Sequence, residues 1–291
     1  EDGDVAVPVT TQSTAVTVQP PEPIQTSCPP LGESLEQAND ATYAIAAEFQ
    51  VSASETGYWT VGTAWAVDDH VLVTNAHITR ALVEMADQGV QFERILAVQA
   101  GTGEVVTITR ELTHPNYDGD PLRSPDVGLF TTLEPLAVTL PLADPTVDIS
   151  LGDEVQLVGF PGDVNDQIRI EPGETVPQAT SLTGRVTARR SHDDRDEVTI
   201  ENLDVIQHQA PTTPGTSGSS LMSCGRVIGV NNAGTVNLIV TPGPDGELTV
   251  DRQAAASNNF AVHHRHIQTL LTLMANNAVQ GTEMPAPARE G

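Results

Sequence analysis

The sequence predicts an all-β protein built from two β-rich lobes, and three observations lead there. Across 291 residues, 23 Gly and 21 Pro interrupt the chain too often for a long helical bundle. Short runs rich in Val, Ile, Thr and Tyr recur between turn residues, a rhythm that indicates barrels or sandwiches. Between residues 134 and 150 that rhythm stops, and the stretch EPLAVTLPLADPTVDIS carries three prolines, as a connector between lobes would.

In chain order, residues 1–32 are rich in Thr, Val, Gln and Pro and have no period that would bury a face, so they read as an extended linker. SLEQANDA then predicts a short helix, with Ser34 as N-cap and Gln37 completing a capping box. The first lobe, residues 33–140, has candidate strands in TYAIAAEFQV, GYWTVGTAWAV, HVLVTNAHI, RILAVQA, EVVTITREL and DVGLFTT. The second lobe, residues 141–280, resumes with DEVQLVGFPG, TSLTGRVTARR, DEVTIENLDVIQ, SLMSCGRVIGVNNAG and NNFAVHH. Ile267, Leu270, Leu271 and Met274 fall at helical spacing, which predicts a terminal helix on the second lobe. Gly281 ends it, leaving residues 281–291 as a tail.

Charge limits the partners. There are 39 acidic and 13 basic side chains, a net charge of −26, and every basic residue is Arg. Nucleic acid and anionic lipid are repelled by such a surface. Salt screening favours it, so a saline habitat is one reading, and a genome that prefers Arg is the other. No apolar run is long enough to insert in a membrane. The chain starts at Glu1-Asp2 rather than Met, as expected after removal of a leader, and this points to a secreted, periplasmic or cell-surface protein. Cys28 and Cys224 are two unrelated thiols in a reducing cytosol and a disulfide in a secreted chain. The other export signs favour the disulfide, which in the chain-entropy account adds about 5 kcal/mol for so long a loop.

The most informative segment is IQHQAPTTPGTSGSSL, from Ile206 to Leu221. Gly215 and Gly218 permit a tight exposed turn around Ser217. Such a turn can aim the N–H groups of Gly215 and Ser217 at one point, as an oxyanion hole requires. A serine hydroxyl needs a base and a group that orients that base. His77, after a hydrophobic strand and a small Asn75-Ala76 turn, supplies an imidazole at a strand end, and Asp126 in SPDVGLF supplies a carboxylate at the start of another. The roles follow: Ser217 as nucleophile, His77 as general base then acid, Asp126 as its orienting partner.

These windows resemble the trypsin-like serine endopeptidases of the chymotrypsin fold, nearest the bacterial high-temperature-requirement and glutamyl endopeptidase branches. TNAHI resembles the T-A-A-H motif, HPNYDG with SPDVGLF resembles the segment around the aspartate, and APTTPGTSGSSL resembles the block around the nucleophile. Thr216 departs from the usual Asn or Asp before the nucleophile, and Gln209 stands where one branch has Asp. The resemblance implies two six-stranded antiparallel β-barrels with a C-terminal helix, no need of a cofactor, and a polypeptide substrate; no protein-binding module of the PDZ kind follows the peptidase region, so assembly into a cage is not implied. It places the primary specificity pocket at Pro211, Thr212, Asn231, Asn232, Ala233, Gly234 and Asn259. None is charged, so cleavage is expected after small or medium uncharged side chains rather than after Arg. The competing function is a protease-fold module that binds a partner without turnover.

The remaining histidines are read blandly. His263, His264 and His266 are expected in solvent, because three adjacent imidazoles cannot all face one ion, and His114 and His208 read as loop or wall residues. No metal site is expected.

Overall fold

The structure is a computed structural model that describes residues 28–285 apart from 53–54, 145, 163–170, 194, 196 and 243–247. The linker expected over residues 1–32 therefore lies outside the described residues as far as residue 27. Strands dominate, and they form two closed six-stranded antiparallel barrels of the chymotrypsin-like kind.

The first barrel contains β1 (Thr42–Ser52), β2 (Glu55–Asp68), β3 (Val71–Thr74), β4 (Phe92–Gln99), β5 (Val105–Thr113) and β6 (Gly128–Thr132). It closes in the order β1-β2-β3-β6-β5-β4. The second contains β7 (Glu154–Gly159), β8 (Thr180–Arg190), β9 (Val205–His208), β10 (Ser220–Ser223), β11 (Arg226–Pro242) and β12 (Leu248–His263), closing as β7-β8-β9-β12-β11-β10. Both rings thus share one strand order.

Period-two alternation sends successive side chains to opposite faces, and here both faces are buried. On β3, Leu72 points into the first barrel with Tyr43, Ile45, Ile95, Ile108 and Phe130. Val71 and Val73 point outward, into a layer shared with Trp65, Leu112, Val158, Met222, Val230 and Val262. That outer layer draws on strands of both barrels, so docking of the barrels is itself hydrophobic. Ala44 on β1 leaves room for Phe160 of the second barrel, which packs there with Val98 and Ala100.

Local departures from the sequence reading have physical causes. Helix α1 spans Leu31–Asp40, so Ser34 lies inside it and is not its N-cap. The Ser34 hydroxyl turns back onto the Pro30 carbonyl at 3.3 Å, the familiar alternative for a serine within a helix. The chain is already held at Cys28, whose disulfide to Cys224 spans 196 residues with a Cα–Cα distance of 4.8 Å. Cys224 and Gly225 both have positive φ, which suits the two-residue turn that joins β10 to β11.

The run HVLVTNAHI is not one strand. It ends at Thr74, and helix α2 covers Ala76–Asp87 with Asn75 as N-cap. The terminal helix α3, His264–Ala275, buries Ile267 and Leu270 in the layer between the barrels, and so packs on both rather than on the second lobe alone. After Gly281 the chain forms β13, Thr282–Glu283, beside β5, and Met284 enters the first-barrel core. Among the described residues no helix is long and apolar enough to cross a membrane.

Candidate active site

Asp126 sits just ahead of β6 and is fully buried. Its two oxygens both face His77: Oδ2 lies 2.8 Å from Nδ1, and Oδ1 accepts the His77 backbone N–H at 2.8 Å. The helix that begins at Ala76 makes this possible, because its first-turn N–H groups have no intrahelical acceptor. Asn75, also fully buried, donates from Nδ2 to the Asp126 carbonyl at 2.9 Å and ties the two segments together. Gly128 allows close approach of α2, since a β-carbon there would lie 2.6 Å from Thr79 Cγ2 and 2.9 Å from the Asn75 carbonyl. His77 itself is part exposed, with its ring opening onto the surface beside Asp126.

Two depressions flank the imidazole. One, of about 290 Å³, is lined by Arg80, Glu84, Tyr117 and Asp118 among others. The other, of about 80 Å³, is apolar, lined by Trp59, Val61, Ile78, Leu82 and Met85. The Tyr117 hydroxyl is pushed up to about 12 by burial and by the Asp126 charge, so it stays protonated at the rim.

Ser217 is held from both barrels. Its carbonyl accepts the Thr63 N–H of β2 at 2.9 Å, and the Thr63 hydroxyl donates to the Gly215 carbonyl at 2.8 Å. From the second barrel, Asn231 receives the Gly218 N–H on its carbonyl at 2.9 Å and donates from Nδ2 to the Thr216 carbonyl at 2.9 Å. Gly215 and Gly218 have φ of +94° and +87°, conformations costly for any other residue.

The backbone amides of this loop divide into two sets. Those of Thr216, Gly218 and Ser219 donate to the carbonyls of Thr213, Asn231 and Thr216. Those of Gly215 and Ser217 have no acceptor among the described residues, and they are the pair assigned to the oxyanion in the sequence. The Ser217 hydroxyl forms no hydrogen bond with His77 in this structure, and such pairs commonly tighten only around substrate. The two segments are nonetheless neighbours. A β-carbon on Gly62 would lie 2.5 Å from Ile78 Cδ1 and 3.3 Å from the Ser217 carbonyl.

The residues assigned to the specificity pocket separate into groups. Thr212 donates to Asn259 Oδ1 at 2.6 Å, Asn259 donates to the Ala210 carbonyl at 2.7 Å, and Gly234 lies against both side chains. Pro211 is exposed, and Ala233 pairs with Phe260 in the β11–β12 ladder. Asn231 instead supports the nucleophile loop, and Asn232 reaches across to the Pro121 carbonyl on the loop that carries Asp126. Buried beside them is His208, whose ring is held down at about 4, by burial first, and so is neutral. Thr63 was not singled out in the sequence, and Asn75 entered only as part of the turn and the TNAHI window that lead to His77. Only the turn glycines around them hint at close backbone approach.

Two antiparallel barrels with a histidine–aspartate couple beside a glycine-flanked serine define a serine peptidase. Residues 62–230 match the model of the trypsin-like peptidase domain, and the chain belongs to that family. Among solved structures, it is similar to an HtrA-type protease, AlgW, with a decapeptide, at 17% identity and a TM-score of 0.56, covering 84% of this chain and 67% of that one. It is also similar to the active form of the Rv3671c protease from M. tuberculosis, at 15% identity and a TM-score of 0.51, covering 92% and 93%. At these identities the likeness speaks for the fold. No curated protein sequence matches the chain.

Proposed function

We propose that the protein is a secreted, periplasmic or cell-surface serine endopeptidase in which Ser217, His77 and Asp126 act as a triad. The Ser217 hydroxyl gives its proton to His77 Nε2 as its oxygen bonds to the substrate carbonyl carbon. His77 then passes that proton to the leaving amine as the C–N bond breaks, and a water repeats the sequence on the acyl-enzyme. Asp126, anchored by two hydrogen bonds, orients the ring and stabilises its protonated form. The Gly215 and Ser217 amides receive the oxyanion, each contributing about 3 kcal/mol to the transition state.

The observation that carries this reading is the pair of unengaged amides on either side of Thr216, set between amides that are all engaged. A polypeptide substrate agrees with the two depressions beside His77 and with the decapeptide on the similar AlgW structure. Export agrees with the Cys28–Cys224 disulfide, a bond that persists in oxidising compartments. Thr212, Gly234 and Asn259 offer no charge to a substrate side chain, which favours cleavage after small or medium uncharged residues.

The test is intact-mass measurement after treatment with a fluorophosphonate probe. A single adduct on the parent, absent from Ser217→Ala, together with casein hydrolysis lost in that variant, is the expected result. A protein that binds peptides yet takes up no probe is the non-hydrolytic module instead. Dominant cleavage after Arg in a peptide library overturns the pocket reading.

A further inference from the structure

Away from Ser217, two further histidines meet one carboxylate, and a third packs against one of them. His114 follows β5, His192 follows β8, Asp204 precedes β9, and His266 lies in the first turn of α3. The ligand-capable atoms of His192, Asp204 and His266 all lie within 4.8 Å of one another. His266 Nε2 is 2.8 Å from Asp204 Oδ1, and His192 Nδ1 is 3.8 Å from Oδ2. The His192 and His266 rings stack at 5.3 Å, with His114 edge-on to His266 at 5.8 Å. The expectation that His263, His264 and His266 lie in solvent gives way here, since all three are buried.

A structural ion pair needs one histidine beside Asp204, and here two lie against it, with His114 packed edge-on to His266. Two of their nitrogens, His114 Nε2 and His192 Nε2, are buried with no hydrogen-bond partner. Such atoms cost free energy unless a ligand or hydrogen-bond partner meets them.

We propose that His192, Asp204 and His266 form a binding site for a divalent ion of the zinc type, which displaces the Arg265 guanidinium from Asp204. Two imidazole nitrogens and a carboxylate oxygen suit zinc and its neighbours, whereas calcium takes oxygen ligands alone. Tetrahedral ligation at about 2.1 Å sets ligand atoms about 3.4 Å apart, so the widest gap in the cluster closes by roughly an ångström or a little more while the His266–Asp204 pair opens by about half an ångström. Arg265 is the resident cation. It donates to Asp204 and to the Glu201 carbonyl, and its side chain is part exposed, so it can swing into water. Bound there, the ion ties α3 to the β8–β9 connection.

The experiment uses the full chain, treated with chelator, dialysed and titrated calorimetrically with zinc chloride alone at pH 7.5, with zinc content measured after dialysis. One equivalent is expected, with a micromolar or tighter dissociation constant. His192→Ala and Asp204→Asn each weaken binding at least tenfold, and Arg265→Gln tightens it severalfold because the competing cation is gone. His192 is at the edge of the cluster, so its variant decides the matter if Asp204→Asn does not fold. No saturable binding below the millimolar range, or binding unchanged in His192→Ala, overturns the site. Neither readout involves peptide hydrolysis, so the result stands apart from the role of Ser217.

Discussion

Thr63→Val removes one hydroxyl and keeps the side-chain shape. That hydroxyl is fully buried between the barrels, donates to the Gly215 carbonyl at 2.8 Å and accepts the Phe160 N–H at 3.1 Å. With valine both groups stay buried and lose their partner, at about 1–3 kcal/mol each in general, so a total near 3 kcal/mol is expected. Activity should fall further than folding alone accounts for. The Gly215 carbonyl fixes the turn that carries both oxyanion amides, and those amides act on the transition state more than on bound substrate. We expect kcat to fall by about 10- to 100-fold with KM nearly unchanged. Urea unfolding followed by circular dichroism reads the first effect, and steady-state hydrolysis of a chromogenic peptide reads the second. Thr63→Ser, which keeps the hydroxyl, should restore kcat. If Thr63→Val has the parental kcat and stability within about 0.5 kcal/mol, Thr63 does not position the loop.

Gly218→Ala should abolish hydrolysis and lower the melting temperature, because a β-carbon there lies 1.9 Å from the Thr63 carbonyl on a residue with φ of +87°. A folded, active variant contradicts the loop geometry. Replacing Cys28 and Cys224 together by Ser removes a link across 196 residues and should cost up to about 5 kcal/mol, read as a lower guanidinium midpoint that no longer responds to reductant. An unshifted midpoint contradicts it. Stability should also fall as the pH drops from about 6.5 toward 4. His114 and His208 are held at about 4 by burial, whereas in the unfolded chain they protonate near 6.5, so in that window the unfolded chain binds more protons. Each contributes on the order of 3 kcal/mol by the acid end, and a urea midpoint that is flat from pH 7.5 to 4.5 counts against both.

What could be read in the sequence were properties of short segments. Apolar runs mark the strands, such as the VLV of β3, and the glycines of PGTSG mark the turn around Ser217. His77, Asp126 and Ser217 could be chosen because few residue types perform that chemistry. Thr63 could not, since a threonine in a strand looks the same whether its hydroxyl meets water or the Gly215 carbonyl 152 positions away. The same holds for His266: its neighbours His192 and Asp204 stand at the two ends of the β8–β9 connection and His114 after β5, and they meet only in the folded chain. Local pattern also missed helix α2 after the β3 run. Nothing in VLVTNAHI shows that Asp126 waits to accept the His77 amide and so favours a helix start over a longer strand.

The groups that hold the site together cross from one barrel to the other. Thr63 of the first barrel supports the Ser217 loop, and Asn232 of the second supports the loop that carries Asp126. The apolar layer beneath them takes residues from β2, β3, β5 and β6 and from β7, β10, β11 and β12, closed by α3. The chain then returns to the first barrel, where β13 pairs with β5 and Met284 fills its core. Separating the lobes would expose that layer and unpair Thr63 at once, so the barrels are stabilised jointly and the serine loop takes its shape only when they dock. A chain cut in the connector between β6 and β7 should therefore yield halves that lack the fluorophosphonate-reactive serine until they are recombined.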